Sequence, residues 1–253
     1  SDGASGDWFG YTVSISSDGT TAIVGALLDD DNGTDSGSAY IYSLIGGIWQ
    51  ETKLLASDGA EYDEFGNSVA VSGDTIIVGA HRDDENSTNT GSVYIYQFDK
   101  SSWIETKLTA SDEGINDSFG LCVGVSDSAV VVGARGDDDN GSNSGSVYIY
   151  QFDESDWIET KLTPYDGRTG DAFGASVAVS DVTVVVGASL NDDGGFASGS
   201  AYIYKLVDSS WIETKLLASD DDSHDHFGNS IAVSGETIVV GAYGDEDNGS
   251  DSG

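Results

Sequence analysis

Apolar and polar residues alternate in short runs along the whole chain, separated by turns rich in glycine, serine and aspartate. In one stretch these runs cover residues 67–71, 75–78, 92–98 and 103–108. Alternation over four to eight residues predicts β-strands, and the short connections predict antiparallel hairpins. The first three runs carry apolar residues on both faces, so we expect each small sheet to be covered on both sides by its neighbours.

The pattern is one unit repeated five times, and this repetition predicts the architecture. Gly-Ala pairs begin at Gly25, Gly79, Gly133, Gly187 and Gly241, and Phe-Gly pairs begin at Phe9, Phe65, Phe119, Phe173 and Phe227. We place the repeats at 1–56, 57–110, 111–164, 165–218 and, as a partial copy, 219–253. The expected fold is all-β: a single β-propeller domain over 1–253, with four complete four-stranded antiparallel blades and the inner half of a fifth.

The charge balance narrows the classes of partner. The chain has 9 Lys and Arg against 45 Asp and Glu, a formal net charge of −36. Such a chain repels phosphate backbones and anionic lipids, which argues against nucleic-acid binding. No apolar run approaches the roughly 20 residues of a membrane-spanning helix, so direct membrane insertion is not expected.

The recurring Phe-Gly, followed by a strand, a short hairpin and Val-Gly-Ala, resembles the FG-GAP repeat of integrin alpha subunits. The resemblance implies an extracellular or cell-surface protein with a role in cell adhesion, and a ring of about seven blades, so roughly two blades would come from sequence or partners beyond this chain. The family's usual calcium loop joins strands one and two. Here that connection is a turn such as 72–74, too short to surround an ion that takes about six to eight oxygen ligands. The family's trailing proline is replaced by Leu27, His81, Arg135, Ser189 and Tyr243.

Most of the acids fall in two kinds of connection, the link between repeats and the loop between strands two and three. Connections alternate between the two rims of an up-and-down sheet, so both kinds are expected on one face. The two–three loops place acids at the first and third positions and an acid or amide at the seventh, a pattern that suits calcium. The candidate ligands are Asp29, Asp31, Asp35, Asp83, Glu85, Asn89, Asp137, Asp139, Asn143, Asp245, Asp247 and Asp251. The alternative is that these side chains only form turns and cap backbone amides.

Asn-x-Ser/Thr triplets recur at matching loop positions and predict that the protein is a glycoprotein. Asn-Gly is, however, also a favourable turn sequence. The candidate acceptors are Asn32, Asn86, Asn116, Asn140 and Asn248. The pair His224 and His226 could contribute to a metal site, or could simply belong to a solvated loop.

No catalytic arrangement emerges from the sequence. Three histidines and the lone Cys122 form no recognisable triad, and the carboxylates repeat too evenly to divide acid and base roles. We therefore expect a non-enzymatic adhesion or ligand-binding propeller with an acidic, calcium-binding face, whose partner is a protein ligand, a neighbouring subunit or a glycan. One alternative is a structural subunit of a surface fibre or sheath. Another is a carbohydrate-binding, lectin-like propeller that uses Trp8 or Phe196.

Overall fold

Turn-separated β-strands account for all the regular secondary structure in the described ranges, which are residues 3–84, 87–153 and 155–246 of the computed structural model. The expected absence of helix from this part of the chain is confirmed. Consistent with this, these ranges hold no helix that could cross a bilayer.

The chain divides into two compact units, Ser1–Asp127 and Ser128–Gly253. The first unit contains β1 (Thr12–Ile15), β2 (Thr21–Ala26), β3 (Ser38–Ile45), β4 (Ile48–Leu54), β5 (Ser68–Ser72), β6 (Thr75–Ala80), β7 (Ser92–Phe98), β8 (Trp103–Leu108) and β9 (Cys122–Val125). The second contains β10 (Val130–Ala134), β11 (Ser146–Phe152), β12 (Trp157–Leu162), β13 (Ser176–Ser180), β14 (Thr183–Ala188), β15 (Ser200–Val207), β16 (Ser210–Leu216), β17 (Ser230–Ser234) and β18 (Thr237–Gly241).

Within each unit the strands form antiparallel sheets whose spatial order follows the chain. The sheets β1–β4 and β5–β8 in the first unit, and β13–β16 in the second, each have four strands. In the second unit β10 pairs with β11 and β11 with β12, while β17 pairs with β18. The prediction of repeated four-stranded antiparallel sheets is confirmed; the closure of a ring and the number of blades stay predictions.

The hairpin between strands one and two is as short as the sequence predicts. Ser72 lies opposite Thr75, which leaves Gly73 and Asp74 as a two-residue turn. Gly73 has a φ of +53°, a conformation that favours glycine and suits the twist of a tight hairpin. Strands three and four of this repeat match the predicted ranges, and strands one and two are shifted or extended by one or two residues.

Adjacent sheets bury their apolar faces against each other. In the first unit, one hydrophobic cluster joins Ile23 and Ile41 of the first sheet to Val69, Ile76 and Tyr94 of the second. In the second unit a corresponding cluster draws from β10, β11, β14 and β15. Each sheet therefore relies on its neighbour to shield an apolar face from solvent, as expected for strands that are apolar on both sides.

The Phe-Gly and Gly-Ala motifs are two halves of one backbone contact between successive sheets. Gly66 N–H donates to the Gly79 carbonyl within its own repeat. A Cβ atom at Gly79 would overlap the carbonyl oxygen of Gly120, the Phe-Gly glycine of the next repeat. Ser68 Oγ donates to that same carbonyl at 2.7 Å. The glycines therefore allow the backbones of neighbouring sheets to approach closely.

Gly79→Ala should lower the free energy of unfolding by about 1–3 kcal/mol, because the new methyl group has to displace the Gly120 backbone. Denaturant unfolding followed by tryptophan fluorescence measures the effect.

Gly3→Ala is the matched control, since a Cβ at Gly3 would meet no heavy atom within 4 Å. Equal stability of the two variants would contradict the close-approach explanation.

Candidate functional site

In the first four repeats the first residue of the two–three loop is buried, and in the first, third and fourth it organises the turn. Asp29 and Asp137 are nearly inaccessible to solvent. The carboxylate of Asp29 accepts a hydrogen bond from the Asp31 N–H at 3.1 Å, and that of Asp137 accepts from the Asp139 N–H at the same distance. Asn191 Oδ1 plays this part in the fourth repeat. Part of the acidic pattern is therefore turn chemistry, the alternative raised by the sequence.

The second and seventh loop positions are also tied together through the backbone. Asp30 accepts from the Asp35 N–H at 2.8 Å, and Asp138 accepts from the Asn143 N–H at 2.7 Å. Asp35 and Asn143 both have a φ of +50°. Aspartate and asparagine tolerate this left-handed conformation better than most residues, which explains their preference at the seventh position without a metal ion.

A lysine ammonium lies between the first and third carboxylates of the loop. Lys53 Nζ is 2.9 Å from Asp29 and 2.6 Å from Asp31. In the third repeat Lys161 Nζ is 2.7 Å from both Asp137 and Asp139. Each lysine belongs to the fourth strand of the sheet that carries its loop, Lys53 to β4 and Lys161 to β12.

Each ammonium also lies over a tyrosine ring of strand three. The distance from Nζ to the ring centroid is 5.3 Å for Lys53 over Tyr40 and 5.5 Å for Lys107 over Tyr94. A cation at this distance is attracted by the negative face of the ring. The aromatic ring and the carboxylates together form a cage suited to a positive charge.

In the second repeat the same cage includes the link that enters the repeat. Lys107 Nζ is 2.6 Å from Asp58 in the link and 3.0 Å from Asp83 in the loop. The hydroxyl of Tyr94 donates to Asp58 at 2.8 Å and lies 3.0 Å from Asp83. Link, loop and fourth strand thus meet at one ammonium.

The fourth repeat has the same arrangement, but the loop carboxylate that accepts from the lysine is at the third loop position. Lys215 Nζ is 2.7 Å from Asp166 in the link and 2.5 Å from Asp193 in the loop. Burial acts to lower the pKa of Lys215, but hydrogen bonds to the two carboxylates outweigh it and raise that pKa. The lysine is therefore held in its charged form.

The glutamate of strand four is also bonded to a tyrosine of strand three. Tyr96 OH donates to Glu105 at 2.7 Å, and Tyr42 OH donates to Glu51 at 2.6 Å. Ser57, at the start of the link, also donates to Glu105. Burial, with the neighbouring Glu51 carboxylate, raises the pKa of Tyr42 to about 12. Glu-Thr-Lys recurs in strand four at 51–53, 105–107, 159–161 and 213–215. Its glutamate and lysine therefore tie strand four to strand three and to the link.

The second acid of each link is buried, and it caps a backbone amide of the link in which it lies. Asp63 accepts from the Ala60 N–H at 2.7 Å, and Asp171 accepts from the Arg168 N–H at 2.9 Å. The remaining members of this set, each buried, are Asp7, Asp117 and Asp225. Burial raises the pKa of Asp63 to about 6, against the Ala60 hydrogen bond that lowers it. These acids support the link from a buried position.

Two clefts open between the links and the loops. One, of about 550 Å³, is lined by Asp58, Ala60, Glu61, Asp63, Asp83, Asp84 and Lys107. The other, of about 380 Å³, is lined by Asp220, Asp222, Ser223, Asp225, Asp245 and Glu246. Carboxylates therefore face solvent-filled space in both units, where they can meet a partner.

One charged cluster departs from the repeat. Glu64 accepts from Arg82 Nη1 at 2.7 Å, and its other oxygen is 3.7 Å from His81 Nε2. Burial raises the pKa of Glu64, while Arg82 opposes that shift. This cluster could not be inferred from the sequence, since Glu64 and His81 are 17 positions apart and the residues at their equivalent positions differ from repeat to repeat.

The other predicted residues fall into three groups. Asn32, Asn116 and Asn140 are exposed, and Asn116 Oδ1 accepts from Asn89 Nδ2 at 2.8 Å. Asp245 borders the smaller cleft. Glu85, Asn86, Asp247, Asn248 and Asp251 lie outside the described residues. Calcium binding and glycosylation stay predictions.

The two loop histidines contact different rings. His224 lies against Phe196 with centroids 5.3 Å apart, and His226 stacks on Tyr243 at 4.8 Å. His226 Nδ1 is 3.1 Å from the Ser189 carbonyl oxygen. Trp8 and Phe196, the aromatic residues considered for carbohydrate binding, are more than half exposed.

Comparison with known families identifies the repeat. The FG-GAP repeat matches residues 1–42, 49–96, 103–150, 157–204 and 211–253. The chain belongs to the FG-GAP repeat family. This membership confirms the resemblance inferred from Phe-Gly and Gly-Ala, and it agrees with a β-propeller built of four-stranded blades.

A solved structure similar to this FG-GAP repeat chain is the periplasmic gluconolactonase PpgL of Pseudomonas aeruginosa. The two share 15% sequence identity with a TM-score of 0.46, over 81% of this chain and 55% of that one. The chain thus spans little more than half the length of that protein. No curated protein sequence matches the chain.

The raised pKa of Asp63 predicts how its contribution to stability changes with pH. The folded state holds the proton more tightly than the unfolded state, whose value is near 3.8, so the contribution of Asp63 falls as pH rises from about 4 to about 6. Asp63→Asn removes this penalty while keeping an oxygen for the Ala60 N–H. We expect the variant to gain on the order of 2 kcal/mol relative to wild type between pH 4 and pH 7, measured by urea unfolding at each pH.

Asp99→Asn is a control of opposite sign. Hydrogen bonds from Ser101 and Ser102 lower the pKa of Asp99 to about 2, so its stabilising contribution is present at neutral pH and is lost as pH falls from about 4 to 2. If the two variants changed in the same direction with pH, the assignment of Asp63 would be wrong.

Proposed function

We propose that this FG-GAP repeat chain is a non-enzymatic binding module of an extracellular adhesion protein, and that it engages a protein partner through the surface that links and two–three loops form in each unit. The support comes from family membership and from the character of that surface. Both are consistent with adhesion, and the fold alone would not distinguish it from other roles.

The observation that carries the proposal is the side-by-side arrangement of link and loop. The Tyr62 N–H donates to the Thr34 carbonyl at 2.8 Å, and the His224 N–H donates to the Phe196 carbonyl at 2.9 Å. The same backbone bond thus joins Thr34 of the first repeat to Tyr62 of the second, and Phe196 of the fourth repeat to His224 of the fifth. The backbone is constant and the side chains vary, as expected of a recognition surface.

Exposed rings stand among exposed acids on this surface. Tyr62 is 54% exposed and Phe196 is 66% exposed. Aromatic residues that remain exposed within a polar surface are typical of interfaces. Asp31, Asp139 and Asp222 are exposed carboxylates of the links and two–three loops. This composition suits a partner protein with a basic surface.

A binding role also agrees with how the ionisable groups are used. The lysines, the strand-four glutamates and the buried link acids each have structural partners that recur from repeat to repeat. A catalytic centre would require groups that differ from their equivalents in other repeats. Glu64, with Arg82 and His81, differs in this way, but its carboxylate is occupied by the Arg82 ion pair.

Carbohydrate binding is the second candidate, favoured by one observation. Phe196 is exposed and lies against His224, so its outer face is available to stack on a sugar ring. Glycosylation and the extracellular location are further parts of the proposal; the first follows from the Asn-x-Ser/Thr triplets and the second from the family resemblance.

Two variants with the same change in charge test the proposed binding surface. The loop-face variant changes acids of the links and two–three loops: Asp31→Asn, Glu61→Gln, Asp139→Asn and Asp222→Asn. The turn-face variant changes acids of the turns between strands one and two or between strands three and four: Asp74→Asn, Asp99→Asn, Asp153→Asn and Asp208→Asn. Binding to a panel of immobilised extracellular-matrix proteins is measured by surface plasmon resonance at 0.15 M NaCl, with a glycan array in parallel. We expect the loop-face variant to lose about tenfold or more in affinity and the turn-face variant to lose little.

Equal losses in both variants would indicate non-specific attraction to the net charge and would sink the proposal. Binding confined to the glycan array, and lost in Phe196→Ala, would establish the carbohydrate alternative instead.

A further inference from the structure

The loop pattern that predicts calcium already holds a cation in each of the first four repeats. Each strand-four lysine has at least two carboxylates within 3.0 Å of its ammonium. We propose that this lysine is the resident cation of the acidic loops, and that the four lysine centres hold their links and loops in place without a metal ion.

The first argument is that the lysine keeps two carboxylate partners even when different residues supply the carboxylates. Lys161 is paired with the first and third acids of its loop. In the fourth repeat the first loop residue is Asn191, whose uncharged Oδ1 lies 3.3 Å from Lys215 Nζ, and the link acid Asp166 supplies a carboxylate at 2.7 Å. The requirement that persists is two carboxylates for one ammonium.

The second argument is that the loop oxygens are already used. In the third repeat, Asp137 Oδ2 and Asp139 Oδ2 both contact the Lys161 ammonium, while Asp137 Oδ1 accepts hydrogen bonds from the Asp139 N–H and from Ser146 Oγ. Asp138 is bonded to the Asn143 N–H. A calcium ion takes about six to eight oxygens and would repel an ammonium at this distance, so it would have to displace the lysine.

The third argument is the cost of leaving the site empty. Asp137 is nearly fully buried, and a buried carboxylate without a counter-charge is strongly destabilising. The lysine reaches this carboxylate along the sheet and covers the Tyr148 ring at 5.3 Å. A counter-charge that belongs to the chain itself cannot be removed by a chelator.

The test compares Lys161→Met with Lys205→Met. Methionine keeps the length and apolar character of the lysine stem and removes its charge. Lys205 is an exposed lysine on β15 and serves as the matched control. Melting temperatures are recorded in EDTA and in 5 mM calcium chloride, both at 0.15 M NaCl.

We expect the melting temperature of the wild-type chain to be insensitive to EDTA. Lys161→Met should melt about 5–10 °C lower than wild type, and Lys205→Met within about 2 °C of it. Calcium should recover part of the loss in Lys161→Met, beyond any shift that it causes in the control, since a divalent ion can then enter between the carboxylates. Adding Asp139→Asn to Lys161→Met should abolish this recovery.

Three results would overturn the proposal. One is a wild-type melting temperature that falls in EDTA and loses that dependence in Asp139→Asn, which would make calcium the resident cation. Another is a Lys161→Met variant as stable as Lys205→Met. The third is a destabilised Lys161→Met that calcium does not recover, which would leave the lysine only a packing role. The wild-type chelator experiment remains decisive if Lys161→Met does not fold.

Discussion

The close approach of backbones between successive sheets is the constraint on which the rest of the structure depends. Gly25, Gly79 and Gly187 each leave room for the carbonyl of a glycine in the following Phe-Gly pair. This contact sets the spacing at which the apolar faces meet, and the buried phenylalanines fill the space beside it, as Phe65 does against Tyr94. Because the carbonyl oxygen occupies the place that a Cβ atom would take, glycine is required at these positions.

Fixing the sheets in this way fixes where the charges can go. Where both faces of a sheet are buried, as in the sheet β5–β8, charged groups are confined to the ends and outer edges of the strands. A chain with a net charge of −36 must then manage a high density of carboxylates at those ends. It does so by directing strand-four lysines such as Lys53 and Lys107 toward the loops, where each neutralises part of the local charge. Strand four, the outer strand of each four-stranded sheet, therefore also organises the loops.

This division of labour separates the structural acids from those available for binding. The first loop acid and the second link acid are buried and bonded to backbone or lysine, as in Asp29 and Asp63. Asp31 and Asp139 touch a lysine but remain about half exposed. The recognition surface proposed above consists of this exposed minority together with the variable rings. A search for function in such repeats should start from the positions where the copies differ.

The sequence by itself determined the period, the strands and the short hairpins, because these depend on local alternation and on turn residues within a few positions of one another. It also placed the acids on links and loops, and Phe-Gly with Gly-Ala identified the family. The sequence could not show that Lys161 lies between Asp137 and Asp139, because those residues are more than 20 positions apart and meet only when strand four folds back beside the loop. Nor could it separate the buried Asp63 from the exposed Glu61, two residues away. Burial and long-range pairing are properties of the packed sheets, so only the tertiary structure decided which carboxylates serve the fold and which face solvent.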